Sequence, residues 1–244
     1  MPSPIWLFDL DNTLHNASHA IFPAINANMN AYMAKVLGDG ETPADAETVN
    51  TIRLDYWKRY GATLLGMVRH HGVRMDDFLH AAHLFDDLYT MIRAERGLGR
   101  LFKRLPGRKI LLTNAPRRYS HDVMRHLGLH RHFAKHIAIE SMLVHRQLRP
   151  KPSTHLLRKV IAREGVNPRR CILVEDTIDT LKAARAIGMR TVWVTQYLKT
   201  SPNYRQLAQC RLAQRFSFTK RPSYVDIKVQ SVRELLPRLH RFKV

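Results

Sequence analysis

The sequence predicts an α/β protein: a parallel sheet with helices on both faces, carrying an all-helical insert. Three observations predict it. Residues 5–14, Ile-Trp-Leu-Phe-Asp-Leu-Asp-Asn-Thr-Leu, open on a short apolar run of the kind a buried parallel strand uses. Beyond residue 95, strand-like and helix-like segments alternate, as they do where parallel strands are joined by crossover helices. Between these parts, residues 15–94 show helical spacing alone. Residues 1–14 and 95–244 are therefore read as the sheet domain, and residues 15–94 as the helical insert.

The elements follow in order. After the first strand, residues 18–37 carry Ile21, Ile25, Met29, Tyr32, Met33 and Val36 at helical spacing. Residues 48–70 read as a second helical region, after the loop Gly38–Pro43, and residues 76–94 as a third. Trp57 and Phe85 read as the insert's core. Lys109–Thr113 is a strand, and Arg117–Leu127 a helix closed by Gly128. His136–Glu140 is a weaker strand. Ser153–Glu164 is a helix with Pro152 near its start and Gly165 after its end. Cys171–Glu175 is a strand, Thr177–Ile187 a helix closed by Gly188, and Arg190–Val194 the next strand. Val225–Val229 and Ser231–Leu239 read as a last strand and helix. Residues 199–222 are polar and basic with little periodicity, and no role is assigned to them.

Composition narrows the function classes. The chain is 45% hydrophobic and 25% charged, ordinary for a globular protein. No stretch approaches the length of a membrane span. The first apolar run has no basic segment before it and ends in acids, unlike a signal peptide. Of the two cysteines, Cys171 falls in a predicted buried strand, which argues against a structural disulfide. A cytoplasmic location and no membrane partner are expected.

The net charge of +20 is unevenly spread. Residues 14–94 hold 7 Lys and Arg against 9 acids, whereas residues 95–244 hold 33 against 9. The basic residues are scattered, with no basic tract, zinc-finger spacing or aromatic RNA-binding signature. The charge is read as a surface favouring small phosphorylated substrates. Adhesion to polyanions is then a side effect, with no specific nucleic-acid partner.

The chemistry gathers at predicted strand ends. The first strand breaks at Asp9 and Asp11, followed by the turn formers Asn12 and Thr13. Acids at the end of a parallel strand point into the crevice where open α/β sheets bind ligands. Leu111–Asn114 ends a strand in a hydroxyl and an amide, and Leu173–Asp176 ends one in two acids. Lys151 stands between Pro150 and Pro152 just before a helix. Singly, each has an ordinary reading: Asp176 as a helix cap, Thr113 and Asn114 as turn residues, Lys151 as a solvated loop lysine. Together they converge. Asp9, Asp11, Glu175 and Asp176 at one sheet edge demand a divalent cation, and all-oxygen ligation favours Mg²⁺. A hydroxyl, an amide and a lysine beside them suit a phosphate-sized anion.

On these residues the chain resembles the haloacid dehalogenase (HAD) superfamily of phosphohydrolases. Asp9-Leu10-Asp11-Asn12-Thr13, Thr113-Asn114, Lys151-Pro152 and Glu175-Asp176 match its four motifs in order. The resemblance implies a Rossmann-like core, and the insert resembles its α-helical cap. Within the superfamily, Asp11–Ala17 and the segment Tyr60–Met67 are most similar to the pyrimidine 5′-nucleotidase-like branch. Lys182–Val194 is also similar, though shared more widely. The Glu175-Asp176 pair is also found in sugar-phosphate mutases and phosphatases of the same subgroup. The dehalogenase branch lacks the second acid of the first motif, which Asp11 supplies here.

The resemblance implies residue roles. Asp9 is the nucleophile and Asp11 the general acid and base. Mg²⁺ is held by the Asp9 and Asp176 carboxylates and the Asp11 backbone carbonyl, with Glu175 in or beside that shell. Thr113 and the Asn114 backbone bind phosphate oxygens, and Lys151 bridges Asp9 and the phosphate. Asp179 is a minor candidate, expected to face solvent. In the cap, which is expected to close over the substrate, Tyr60 is placed to stack on a base and Thr63 to hydrogen-bond it, unless both simply pack the cap. His70, His71 and the histidines from His121 to His136 read as surface residues.

Overall fold

The computed structural model describes residues 3–198 and 221–241. All but the last two residues of the basic stretch 199–222, together with Cys210, lie outside that range. The chain divides into two compact units, residues 1–19 with 92–244 and residues 20–91. The first crossing comes after residue 19 because residues 15–18 are tied to the sheet unit. The Asn12 side-chain amide donates to Ser18 Oγ (2.8 Å) and its carbonyl accepts from Ser18 N–H (3.1 Å). Asn16 N–H donates to the Arg93 carbonyl at 2.7 Å, joining the outgoing and returning chain.

The sheet unit is built on six parallel strands. In chain order these are β1 (Ile5–Phe8), β2 (Arg108–Leu112), β3 (Lys135–Ile137), β6 (Cys171–Glu175), β7 (Arg190–Val194) and β8 (Ile227–Val229). A two-stranded hairpin, β4 (Leu143–Val144) and β5 (Gln147–Leu148), lies apart from them in the sequence between β3 and β6. The spatial order is β3-β2-β1-β6-β7-β8, so the strand order reverses at β1. Phe8 is in register with both Leu111 and Val174, which brings the residues that follow all three strands to one edge.

Both faces of β1 are buried, which is why its sequence is apolar throughout rather than alternating. Ile5 and Leu7 pack with Ile110, Leu112, Leu173, Leu157 and Leu181 on one face. Trp6 and Phe8 point to the other, where Phe8 meets Phe102 edge-on at 5.0 Å and Phe133 at 5.8 Å. Helices of this unit are α6 (Leu98–Arg104), α7 (Arg117–His126), α8 (Thr154–Glu164) and α9 (Ile178–Ala186). Ser153 caps α8, its Oγ accepting from Leu156 N–H at 3.2 Å.

The helical unit contains α1 (Ile21–Leu37), α2 (Ala46–Tyr60), α3 (Thr63–His71), α4 (Met75–Ala82) and α5 (Leu88–Met91). Residues 48–70 are two helices, not one. Gly61 adopts φ 77°, a left-handed conformation that ends α2 and reverses the chain into α3. Gly66 then allows α3 to meet α2, since a Cβ there would lie 2.1 Å from Tyr56 Cγ. The third helical region likewise stops at Ala82 and resumes only for four residues.

Other expectations need correction. Trp57 is 54% exposed: α2 buries Val49 and Tyr56, two turns apart, and Trp57 is rotated off that face. Phe85 is half-buried in a loop. His136 is half-buried, with Nε2 2.7 Å from Ser120 Oγ, not a surface residue. The last segment forms 3₁₀ turns at Val232–Leu235 and Leu239–Arg241 instead of an α-helix. Pro237 lacks the N–H that would carry a helix through it.

Candidate active site

Three strand ends, one loop and one helix build the site. Asp9 follows β1 directly, and its N–H still donates to the Val174 carbonyl at 3.0 Å, so its backbone is part of the sheet ladder. A residue held this way has little freedom, and its side chain is buried. Leu10 then accepts from Thr13 and Leu14 N–H in a tight turn, with Asn12 at φ 57°. Asn is among the few side chains that tolerate this conformation, and its bonds to Ser18 fix it.

Lys151 enters from the loop before α8. Its Nζ donates to Asp9 Oδ1 at 2.6 Å and to Glu175 Oε2 at 2.7 Å, all three side chains being buried. Burial disfavours the ammonium, but the Asp9 and Glu175 carboxylates more than reverse that and hold its pKa above the ordinary lysine value. The loop carrying Lys151 is pinned by Asn114. The Asn114 amide donates to the Lys151 carbonyl and its oxygen accepts the Lys151 N–H, both at 3.0 Å. The Asn114 side chain is thus committed to positioning the lysine. Thr113 is buried beside it, its N–H on the Ile137 carbonyl and its Oγ1 accepting from Ala115 N–H.

Glu175 and Asp176 end β6. Glu175 uses both oxygens, Oε2 on Lys151 and Oε1 on Thr177 N–H (3.2 Å). Asp176 does not cap α9: Thr177 is the residue at the cap and makes no side-chain cap bond. Carboxylate oxygens of Asp9, Glu175 and Asp176 lie within 4.8 Å of one another. Burial, then Glu175, then Asp9, raise the Asp176 pKa well above the usual carboxylate value. Burial and Glu175 likewise push Asp9 up, with Lys151 opposing them. Three gathered acids beside one ammonium are costly to ionise together without a further cation. An all-oxygen set of this kind fits a hard divalent cation such as Mg²⁺.

The expected meeting of four acids is corrected to three. The Asp11 carboxylate is not one of that group, though its charge still acts on Asp9. Its Oδ1 accepts the Tyr119 hydroxyl at 2.6 Å, and His15 Nε2 lies 2.8 Å from the same oxygen. His15 is fully buried, and its Nδ1 has no hydrogen-bond partner. A tautomer with the proton on Nε2 makes His15 a second donor to Asp11. Burial first, then the Asp11 charge, hold the Tyr119 hydroxyl well above its usual pKa, so it stays a proton donor. His15 stands four residues after Asp11 and was visible in the sequence as its neighbour. Tyr119 comes from α7, and no sequence signal joins it to Asp11.

The remaining candidates are Asp179, Tyr60 and Thr63. Asp179 is exposed on the first turn of α9. Tyr60 and Thr63 belong to the helical unit, at the end of α2 and the start of α3. The Tyr60 hydroxyl is 2.6 Å from His70 Nε2, and the Arg69 guanidinium lies over the Tyr60 ring at 5.8 Å.

Residues 5–188 match the haloacid dehalogenase-like hydrolase family. Phosphoglycolate phosphatase 1 of Pseudomonas aeruginosa is 26% identical over 202 residues, covering 78% of this chain and 68% of that protein. Among solved structures, a HAD phosphatase from Thermococcus onnurineus superposes with a TM-score of 0.62 at 16% identity, over the whole of both chains. CbbY from Rhodobacter sphaeroides in complex with phosphate gives 0.59 at 18% identity over 96% of each chain. L-2-haloacid dehalogenase from Xanthobacter autotrophicus gives 0.56 at 17% identity over 99% of this chain and all of the other. At such identities the three structures establish a shared fold.

Proposed function

Because the chain belongs to the haloacid dehalogenase-like hydrolase family, we propose that it hydrolyses phosphate monoesters through a covalent intermediate on Asp9. The observation that carries the proposal is the buried Lys151 ammonium bridging Asp9 and Glu175 beside Asp176. Such a bridge holds one carboxylate oxygen of Asp9 fixed.

In the first step an Asp9 oxygen bonds to phosphorus as the bond to the ester oxygen breaks. Asp11 gives its proton to the departing alkoxide. In the second step Asp11 takes a proton from water, the oxygen attacks phosphorus, and Asp9 leaves as a carboxylate with release of inorganic phosphate. Lys151 and Thr113, with the Asn114 backbone, bind the equatorial phosphate oxygens. Tyr119 and His15 hold Asp11 by its Oδ1. Asp9, Asp176 and the Asp11 carbonyl, with Glu175 beside them, would hold Mg²⁺. When bound, the ion supplies charge neutralisation of the phosphoryl group and lets an anionic nucleophile meet an anionic substrate.

The substrate belongs to the same proposal. The similarity of Asp11–Ala17 and Tyr60–Met67 to pyrimidine 5′-nucleotidases supports nucleoside monophosphates, with Tyr60 and Thr63 choosing the leaving group. The likeness to a phosphoglycolate phosphatase and the Glu175-Asp176 pair support a second reading, a small anionic or sugar phosphate. The test is phosphate release with Mg²⁺ from UMP, CMP, AMP, sugar phosphates and phosphoglycolate, beside Asp9→Asn. Turnover concentrated on UMP and CMP is expected, reduced on the order of 10⁴-fold or more in the variant. Selective turnover of phosphoglycolate or a sugar phosphate replaces the substrate and keeps the chemistry. Rapid isomerisation with slow release identifies a mutase, and the absence of any Asp9-dependent turnover removes the proposal.

A further inference from the structure

Hydrolysis as described uses few of the chain's positive charges, and its net charge of +20 is left unexplained. The excess is concentrated. Residues 96–139 contain 11 Lys and Arg and a single acid, Asp122. Tertiary structure gathers part of this stretch on one surface. Phe102 of α6 stacks on His132, in the 3₁₀ turn His130–His132, with ring centroids 6.4 Å apart. Arg100, Lys103 and Arg104 of α6 are exposed, as are His130 and Arg131 of the turn.

These cations are uncompensated. Among the described residues no carboxylate pairs with Arg100, Lys103, Arg104 or Arg131. Glu164, the acid that reaches the amino ends of β2 and β3, is already engaged with Arg108 (3.5 Å) and Lys135 (2.5 Å). The His132 imidazole, packed on Phe102, lies beside some of these charges. Its pKa is lowered by burial and then by the charges of Lys109, His130 and Lys103.

The location matters as much as the charge. Helix α6 leads into β2 and the 3₁₀ turn into β3, so this surface stands at the amino ends of those strands. Asp9, Thr113 and Glu175 stand at the opposite, carboxyl ends. A five-residue strand separates its ends by about 15 Å. The surface is therefore not part of the phosphate site, and charge there does not serve to hold a small ester beside Asp9.

We propose that this face docks the phosphodiester backbone of a nucleic acid, without sequence preference and with the catalytic crevice left open. Guanidinium groups, which fit phosphate in two-point contacts, supply three of the four uncompensated Lys and Arg side chains. No large apolar side chain is exposed within residues 96–139; among the described residues those that are exposed are Leu54, Trp57, Val68, Leu84, Tyr89 and Leu143. An amphipathic membrane-surface site combines its cations with such an inserting group. The proposal stands apart from the hydrolase reading and revises the sequence expectation of incidental adhesion.

The experiment is fluorescence polarisation with a labelled RNA of about 20 nucleotides and a DNA duplex of similar length, titrated from about 50 to about 300 mM KCl. Wild type is compared with Arg100→Gln/Lys103→Gln/Arg104→Gln, all at exposed positions. A second triple variant, Arg158→Gln/Lys182→Gln/Arg233→Gln, removes equal charge from exposed sites elsewhere. Melting curves confirm that all three fold. The α6 variant is expected to weaken RNA binding by about tenfold or more at low salt. Its log–log salt slope should become shallower by about 2, the counterion release expected for three single-strand phosphate contacts. Binding to either nucleic acid with this pattern supports the proposal. Equal losses in both triple variants, no binding by wild type at the lowest salt, or tighter binding to phosphatidylserine vesicles or an Asp/Glu peptide than to RNA would overturn it.

Discussion

Asp9 and Asp11 are two residues apart, yet their surroundings differ in kind. Asp9 sits among charges: the Lys151 ammonium at 2.6 Å, with Glu175 and Asp176 beside it. Asp11 sits among polar donors: the Tyr119 hydroxyl at 2.6 Å and the His15 imidazole at 2.8 Å. The difference teaches how one short turn supplies two chemistries. A carboxylate fixed by a cation next to a metal-type cluster is suited to attack phosphorus. A carboxylate held on one oxygen by a hydroxyl and an imidazole is suited to pass a proton.

Breaking the charged half is expected to cost most. Lys151→Met leaves Asp9 and Glu175 buried without their counter-ion, and removing one partner of a buried pair costs about 3–5 kcal/mol. Urea denaturation should show that loss together with loss of turnover. A near-normal midpoint would mean that the cluster is solvated rather than paired. Next in size is Asp176→Asn. In wild type, Mg²⁺ should raise the melting temperature by binding only the folded state. The variant is expected to lose most of that rise while melting normally without metal. An unchanged rise would place the ion elsewhere.

The Asp11 half is expected to respond more gently and more selectively. Tyr119→Phe removes one donor to Oδ1 and keeps the ring. For alkyl phosphates, whose leaving group needs a proton, kcat/KM should fall about tenfold, consistent with one hydrogen bond to a charged group. For p-nitrophenyl phosphate, whose leaving group does not, kcat/KM should be little changed. Equal falls on both esters would make Tyr119 a general packing residue.

The smallest effect lies outside both halves and serves as their reference. Burial, then the charges of Arg117 and His121, lower the His136 pKa to about 4. The folded state therefore holds this imidazole neutral where the unfolded chain would protonate it. Stability is complete above the unfolded value of about 6.5 and is lost as pH falls from there toward about 4. Denaturation midpoints at pH 7 and pH 5 should differ more in wild type than in His136→Gln. The same difference in both would assign acid sensitivity to other groups.

Much of this site was legible in the sequence because its residues follow strands. The motif residues Asp9, Thr113, Glu175 and Asp176 each terminate an apolar run, and parallel strands place such ends together whatever the details of packing. Lys151, which alone reads as a loop lysine, was legible only through its convergence with those ends and the match of Lys151-Pro152 to a family motif. The roles of individual side chains were less so. For Asn114 a backbone role toward phosphate was expected, and the clamp its side chain places on the Lys151 backbone was not foreseen. His15 stood in view four residues from Asp11 but was given no role, and Tyr119 was not singled out because a buried hydrogen bond between residues 108 positions apart leaves no local pattern. Helix limits failed where a single backbone conformation decided them, as at Gly61.

By itself the sequence determined the α/β class, the strand that carries Asp9 and Asp11, and the order of the four motifs. Periodicity and strand-end chemistry are local properties, and one chain displays them. Tertiary structure alone decided which acids share a cluster, which donors hold Asp11, and that the uncompensated cations of α6 face the amino edge of the sheet. Those are relations between segments far apart in the chain, and only packing brings them within reach of one another.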